Sequence, residues 1–149
     1  LRLLWDAVPS LAPKRLPLVD ALGLVLAEPI RANRDCPPFP RAMMDGFAVS
    51  IGDAGATVPV EGEIAAGDRC DMHVTSGMCI EIMTGACCPR GSEAVVQKEH
   101  VRRCDGGVSL PEKIVRGQHI APQGSECRDG GRLGAFHQRN HRHGQPCIG

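Results

Sequence analysis

Three side chains able to bind or react stand beside glycine-marked breaks in this sequence. Asp45 precedes Gly46 in PPFPRAMMDGFAV, Thr84 precedes Gly85 in IEIMTGACCPRGSEAVV, and Glu126 follows a Gly-Ser turn in APQGSECRDGG. An Asp-Gly step is a turn signal and sets a carboxylate where the backbone bends sharply. A Thr-Gly at a strand end can present a hydroxyl and backbone amides to an anion. Each cluster also has a plainer reading when taken alone: Asp45 as a turn former, Thr84-Gly85 as an ordinary loop, Glu126 as a solvated acid. A fourth stretch, GEIAAGD, carries small residues that allow close backbone approach and implies no chemistry directly.

The elements that must position these groups read as short strands. Apolar runs at 47–51, 58–64, 78–83 and 94–97 are separated by Gly and Asp, which predicts an antiparallel or mixed β module. In VRRCDGGVSL, Asp105-Gly106-Gly107 divides two runs and predicts a hairpin. Pro37 and Pro38 exclude a helix and favour an extended connection. Upstream the pattern changes. Leu3, Leu4, Ala7 and Val8 fall at helical spacing, and so do Leu18, Ala21, Leu22, Val25 and Leu26. The second stripe predicts an amphipathic helix packed on a core, opened by Pro17 and weakened by Gly23.

Composition narrows the function classes. The chain has 149 residues, with 17 Lys plus Arg against 17 Asp plus Glu. Zero net charge and only four aromatics, Trp5, Phe39, Phe47 and Phe136, argue against a nucleic-acid partner. No apolar run approaches the ~18 residues of a membrane span. The 8 cysteines contain no C-x-x-C pair, and the opening LRLLWDAVPS lacks the features of a secretory leader. A reduced, cytoplasmic protein with free thiols is the expectation.

In combination the clusters are specific. P-P-F-x-x-x-x-M-D-G-F-A-V, then G-E-I-x-A-G, then I-M-T-G-A-x-x-P-x-G-x-E-A-V-V closely resembles the molybdopterin molybdenumtransferase family, which includes the E domain of gephyrin. LPLVDALGLVLAEPIRA and GQHIAPQGSECRDGG extend the resemblance from about Leu16 to Gly131. It implies an enzyme that hydrolyses adenylylated molybdopterin and inserts molybdate into the dithiolene with the help of a divalent ion such as magnesium. It also implies a homodimer whose site lies between the β domain of one subunit and the α/β domain of the other. Carried over by motif, Asp45, Thr84 and Glu126 are the expected catalytic residues. Gly46 and Gly85 are the expected cofactor-binding positions, and Asp45 the expected metal ligand. The chemistry is coherent, since molybdate and phosphate are anions, and a carboxylate helps them by holding a bridging cation. Thr84 can donate to an oxyanion without adding charge.

The resemblance also implies an α+β fold: a helical unit from two chain segments, 1–33 and 119–149, with an inserted irregular mixed-β domain at 34–118. The family's continuation is not recognisable beyond Leu133, and its α/β domain has no counterpart among these residues. The chain is therefore expected to supply one wall of a site and to be inactive alone. Two alternatives remain open at this point. One is a non-catalytic dimerisation or scaffold module of the same family. The other is zinc binding by the tail, where His137, His141, His143 and Cys147 are closely spaced but match no specific motif.

Overall fold

The computed structural model describes residues 12–134. Their strands are β1 (Ile30–Arg31), β2 (Arg41–Ala42), β3 (Gly46–Val49), β4 (Thr57–Val58), β5 (Val60–Ile64), β6 (Cys79–Ile82), β7 (Ala94–Gln97), β8 (Arg102–Cys104), β9 (Gly107–Ser109), β10 (Ile120–Ala121) and β11 (Arg132–Gly134). Two compact units divide the described residues: 12–31 with 132–134, and Ala32–Gly131.

The α+β expectation is corrected. Among the described residues the helical segments are single 3-10 turns, Leu18–Ala21, Ile51–Asp53 and Lys98–His100, and the rest of the regular structure is strand. In the first unit, β1 and β11 form a two-stranded antiparallel pair. The apolar stripe ahead of it makes one 3-10 turn and stops. Gly23 sits at φ +81°, outside the helical region, and Pro17 is extended with ψ 147°. The stripe is not a core face either, for Leu18 is 90% exposed and Leu22 93%. Helix nucleation is unfavourable, and short helices draw their stability from tertiary packing of one apolar face. Among the described residues that packing is missing. The expected turns at Leu3–Val8 and the His-rich tail lie outside the described residues.

The second unit is built on the central strand β3. All four of its residues are buried, as for a strand covered on both faces. It pairs antiparallel with β6 on one side and β7 on the other, and β5 adds parallel to β6, giving the order β5-β6-β3-β7. Alternation sends Ala48, Ile80, Ile82 and Val95 into one core with Ile64 and Val74. Phe47, Val49, Cys79, Ala94 and Val96 enter a second core with Val58, Val108 and Leu110. The latter three come from or border the sheet β4-β9-β8, whose β8–β9 pair is the hairpin predicted around Asp105-Gly106. A short antiparallel pair, β2 with β10, completes the unit.

Candidate functional site

Register explains how separated motifs meet. Gly46, at the start of β3, stands opposite Ile82 at the end of β6 and Gln97 at the end of β7. The chain entering β3 thus meets the chains leaving its two antiparallel neighbours. Asp45, Thr84 and Lys98 are the side chains delivered to that corner.

They form one hydrogen-bonded cluster. Asp45 Oδ1 accepts from the Thr84 hydroxyl at 2.6 Å and from the Thr84 amide at 2.8 Å. Asp45 Oδ2 pairs with Lys98 Nζ at 3.2 Å, and the Lys98 amide donates to the Asp45 carbonyl, also at 3.2 Å. The Thr84 donors, followed by Lys98, hold the Asp45 carboxyl down from an ordinary 3.8 to about 2. Asp45 is therefore a permanent anion near neutral pH and cannot serve as a general acid there. All three members are at least partly exposed.

Both glycines of the motifs have structural roles. A Cβ on Gly46 would run into the Val96 carbonyl oxygen of the neighbouring strand. Gly85 lies at φ +87°, a turn conformation that side-chain-bearing residues rarely adopt. The loop's amides are already committed: Gly85 donates to the Ala42 carbonyl and Ala86 to the Met83 carbonyl. With the Thr84 amide held by Asp45, the stretch offers no free anion nest in this arrangement.

Glu126 belongs to a different cluster. Its Oε1 pairs with Arg41 Nη2 at 2.8 Å, and its Oε2 accepts from the Cys36 thiol at 3.2 Å. The structure brings Asp45 and Thr84 together and places Glu126 with Arg41, which precedes Asp45 by four residues. A further acid, Glu93, anchors the loop at the opposite end of β7 through Ser50 Oγ, the Ile51 amide and Arg116.

Lys98 and Arg41 are the members that sequence reasoning missed. Lys98 directly follows the 94–97 run, so pairing that strand in register with 46–49 would have set it beside Asp45.

Magnesium at Asp45 does not fit the residues present. Its Oδ1 is occupied by two Thr84 donors and its Oδ2 by an ammonium group, leaving a single carboxylate already neutralised. Among the described residues no group of three or more His, Cys, Asp or Glu side chains is arranged to hold a metal ion. Nor is any helix among them long and apolar enough to cross a membrane.

Comparison with known proteins agrees with the motifs. A family model described as the MoeA N-terminal region (domain I and II) matches residues 1–139. A molybdopterin molybdenumtransferase of Synechococcus elongatus is 32% identical over 137 residues, covering 87% of this chain and 34% of the relative. Molybdopterin molybdenumtransferase 2 of Mycobacterium tuberculosis is 34% identical over 140 residues, again covering 87% and 34%. Among solved structures, the molybdopterin biosynthesis moeA protein of Pyrococcus horikoshii superposes with a TM-score of 0.76 at 32% identity, over 83% of this chain and 34% of that one. The chain spans about a third of the length of the curated relatives it matches.

Proposed function

Because the chain belongs to the family of the MoeA N-terminal region, we propose that it supplies one wall of an intersubunit site where molybdate is inserted into adenylylated molybdopterin. The carrying observation is the convergence of Asp45 and Thr84, from two separate motifs, with Lys98, from the end of a third stretch, at one corner of the sheet. Thr84 fixes the Asp45 carboxylate. The carboxylate in turn orients the Lys98 ammonium group through their ion pair, and Lys98 is the cation this corner offers to an anionic ligand. Gly46 and Gly85 shape the backbone that carries this cluster. Glu126 enters the same reading on its motif, as the partner that orients Arg41. The remaining contacts to the pterin come from protein outside these residues, so the chain alone does not turn over.

A chimaera tests this. The chain replaces the matching N-terminal third of a full-length relative, and molybdate-dependent AMP release is followed. Activity is expected for the chimaera, with a loss of about 10²-fold for Asp45→Asn, the scale of removing one polar group from such a site. A folded, active chimaera indifferent to Asp45→Asn would overturn the reading.

The second reading, a dimerisation module of the same family, draws on the exposed stripe. Leu18, Val19, Leu22 and Val25 are 74–93% exposed in the first unit, a face suited to covering by a second copy of the chain. Sedimentation equilibrium is expected to show a dimer that Leu18→Lys with Leu22→Lys converts to monomer. A monomer at high concentration for the unaltered chain would remove it.

A further inference from the structure

The second unit begins and ends in one zipped neck, where residues 32–37 run beside 123–131. The Ala32 amide donates to the Gly131 carbonyl at 2.8 Å, and the Gly124 amide to the Pro37 carbonyl at 2.9 Å. Asp35 ties the same segments, accepting from the Asp129 amide at 2.9 Å and from Gln123 Nε2 at 2.8 Å. In the middle of the neck, Cys36 and Cys127 face each other as an antiparallel bridge. They exchange both backbone hydrogen bonds, at 2.7 and 3.0 Å. Residues paired in this way have Cα atoms about 5.5 Å apart and side chains on one face. A disulfide needs a Cα separation of about 4.4–6.8 Å. Cys36 is exposed and Cys127 partly so, and both are free thiols.

We infer that Cys36 and Cys127 are a dithiol modification site, closed to a disulfide by low-molecular-weight disulfides and stapling the neck of the β unit beside Glu126. The pair is the sole directly paired cysteine couple among the described residues. The other thiols compete poorly. Burial pushes Cys79 and Cys88 up to about 11 and Cys87 up to about 12, away from the reactive thiolate. Cys70 donates to the Cys87 and Cys88 carbonyls and Cys104 to Gly107 of its own hairpin, much as Cys127 donates to the Arg128 carbonyl at 3.5 Å. Among the described residues, however, neither Cys70 nor Cys104 has a cysteine opposite it in a backbone pair. The Cys36 thiol is itself raised, chiefly because it donates to Glu126, so it is the pairing geometry and the exposure that single out this couple.

The step is thiol–disulfide exchange. One cysteine releases its proton, and its sulfur attacks a disulfide RSSR. A protein–SR bond forms and RS⁻ leaves. The second cysteine releases its proton and attacks the protein sulfur of that mixed disulfide, and the second RS⁻ leaves. Two cysteines are oxidised and RSSR is reduced to two RSH. Closure removes the S–H that Cys36 gives to Glu126, leaving Arg41 as that carboxylate's side-chain partner.

The test uses the full chain equilibrated with reduced and oxidised glutathione, quenched in acid and alkylated. Two of the 8 thiols are expected to be lost together, with a 36–127 linked peptide by mass spectrometry under non-reducing digestion. Tm is expected to rise by at least about 5 °C in the oxidised form, because the bridge closes a long loop of the unfolded chain. The rise should vanish in Cys127→Ser. The inference fails if, in fully oxidised glutathione, Cys36 and Cys127 stay alkylatable, carry separate glutathione adducts, or pair instead with Cys70 or Cys104. None of these outcomes depends on molybdenum chemistry, so the proposed function stands or falls separately.

Discussion

Thr84 donates twice to a single oxygen of Asp45, through its hydroxyl at 2.6 Å and its amide at 2.8 Å. The relationship fixes both the orientation and the ionisation of Asp45. Its carboxyl is held at about 2, against 3.8 when unperturbed. A depressed folded-state value adds stability above the unfolded value, and that stability is lost as pH falls through the folded one. The window runs from about pH 4 down to about pH 2. Carboxyl NMR should place the Asp45 midpoint near 2. Asp45→Asn should flatten the acid limb of the stability curve within that window. A midpoint near 4 would remove the cluster's electrostatic basis.

The two Thr84 donors are separable. Thr84→Val removes the hydroxyl and leaves the amide, so the Asp45 midpoint should rise toward the ordinary carboxylate value. Thr84→Ser keeps the hydroxyl and should leave it low. In the chimaera, Val should lower AMP release by about tenfold, the scale of one lost hydrogen bond to a charged group, while Ser retains most of it. Equal loss in both variants would assign the effect to packing at this strand end instead.

Lys98 and Asp45 are exposed partners, and exposed pairs contribute little to stability. Lys98→Met should therefore leave the urea midpoint nearly unchanged, raise the Asp45 midpoint, and weaken molybdate-dependent turnover in the chimaera. Lys98→Arg should restore turnover in part, since the charge remains and the geometry changes. A large fall in the urea midpoint with normal turnover would make Lys98 a structural residue.

The strands of the second unit were legible because their signals are local. The runs at 47–51, 78–83 and 94–97 carry buried side chains on both faces of a sheet, and Asp105-Gly106 marks the hairpin between β8 and β9. The helix expected over 18–26 was not legible as an absence. Leu18, Ala21, Leu22, Val25 and Leu26 keep perfect helical spacing, yet spacing records only the face a helix would show. Gly23 at φ +81° and the lack of a packing partner among the described residues decide against it. At the site, the motifs pointed to Asp45 and Thr84 separately. Their contact, and the arrival of Lys98, depend on strand register, which no single motif encodes. Glu126 carried the same motif-level signal and joins Arg41 and Cys36 instead, because β10 and the residues after it pair with the 36–42 segment.

Gly46 and Gly85 separate two reasons for glycine at one site. At Gly46 the backbone conformation is ordinary, and space is the constraint: a Cβ meets the Val96 carbonyl across the central strand pair. Gly46→Ala must push β3 from β7 or tilt the strand, at a cost of about 3 kcal/mol. At Gly85 space is available, since the nearest atom to an added Cβ is Ala66 Cβ at 3.8 Å, and the φ of +87° is the constraint. Gly85→Ala should cost about 1–2 kcal/mol, the left-handed penalty for an L-residue. Urea unfolding with unchanged m-values should therefore rank the midpoints wild type, Gly85→Ala, then Gly46→Ala. The Asp45 midpoint adds a second readout. Gly85→Ala moves the loop that carries Thr84, so it should raise the Asp45 midpoint even where the fold survives. If Gly85→Ala left both the stability and the Asp45 midpoint untouched, the loop would not be held by that backbone conformation.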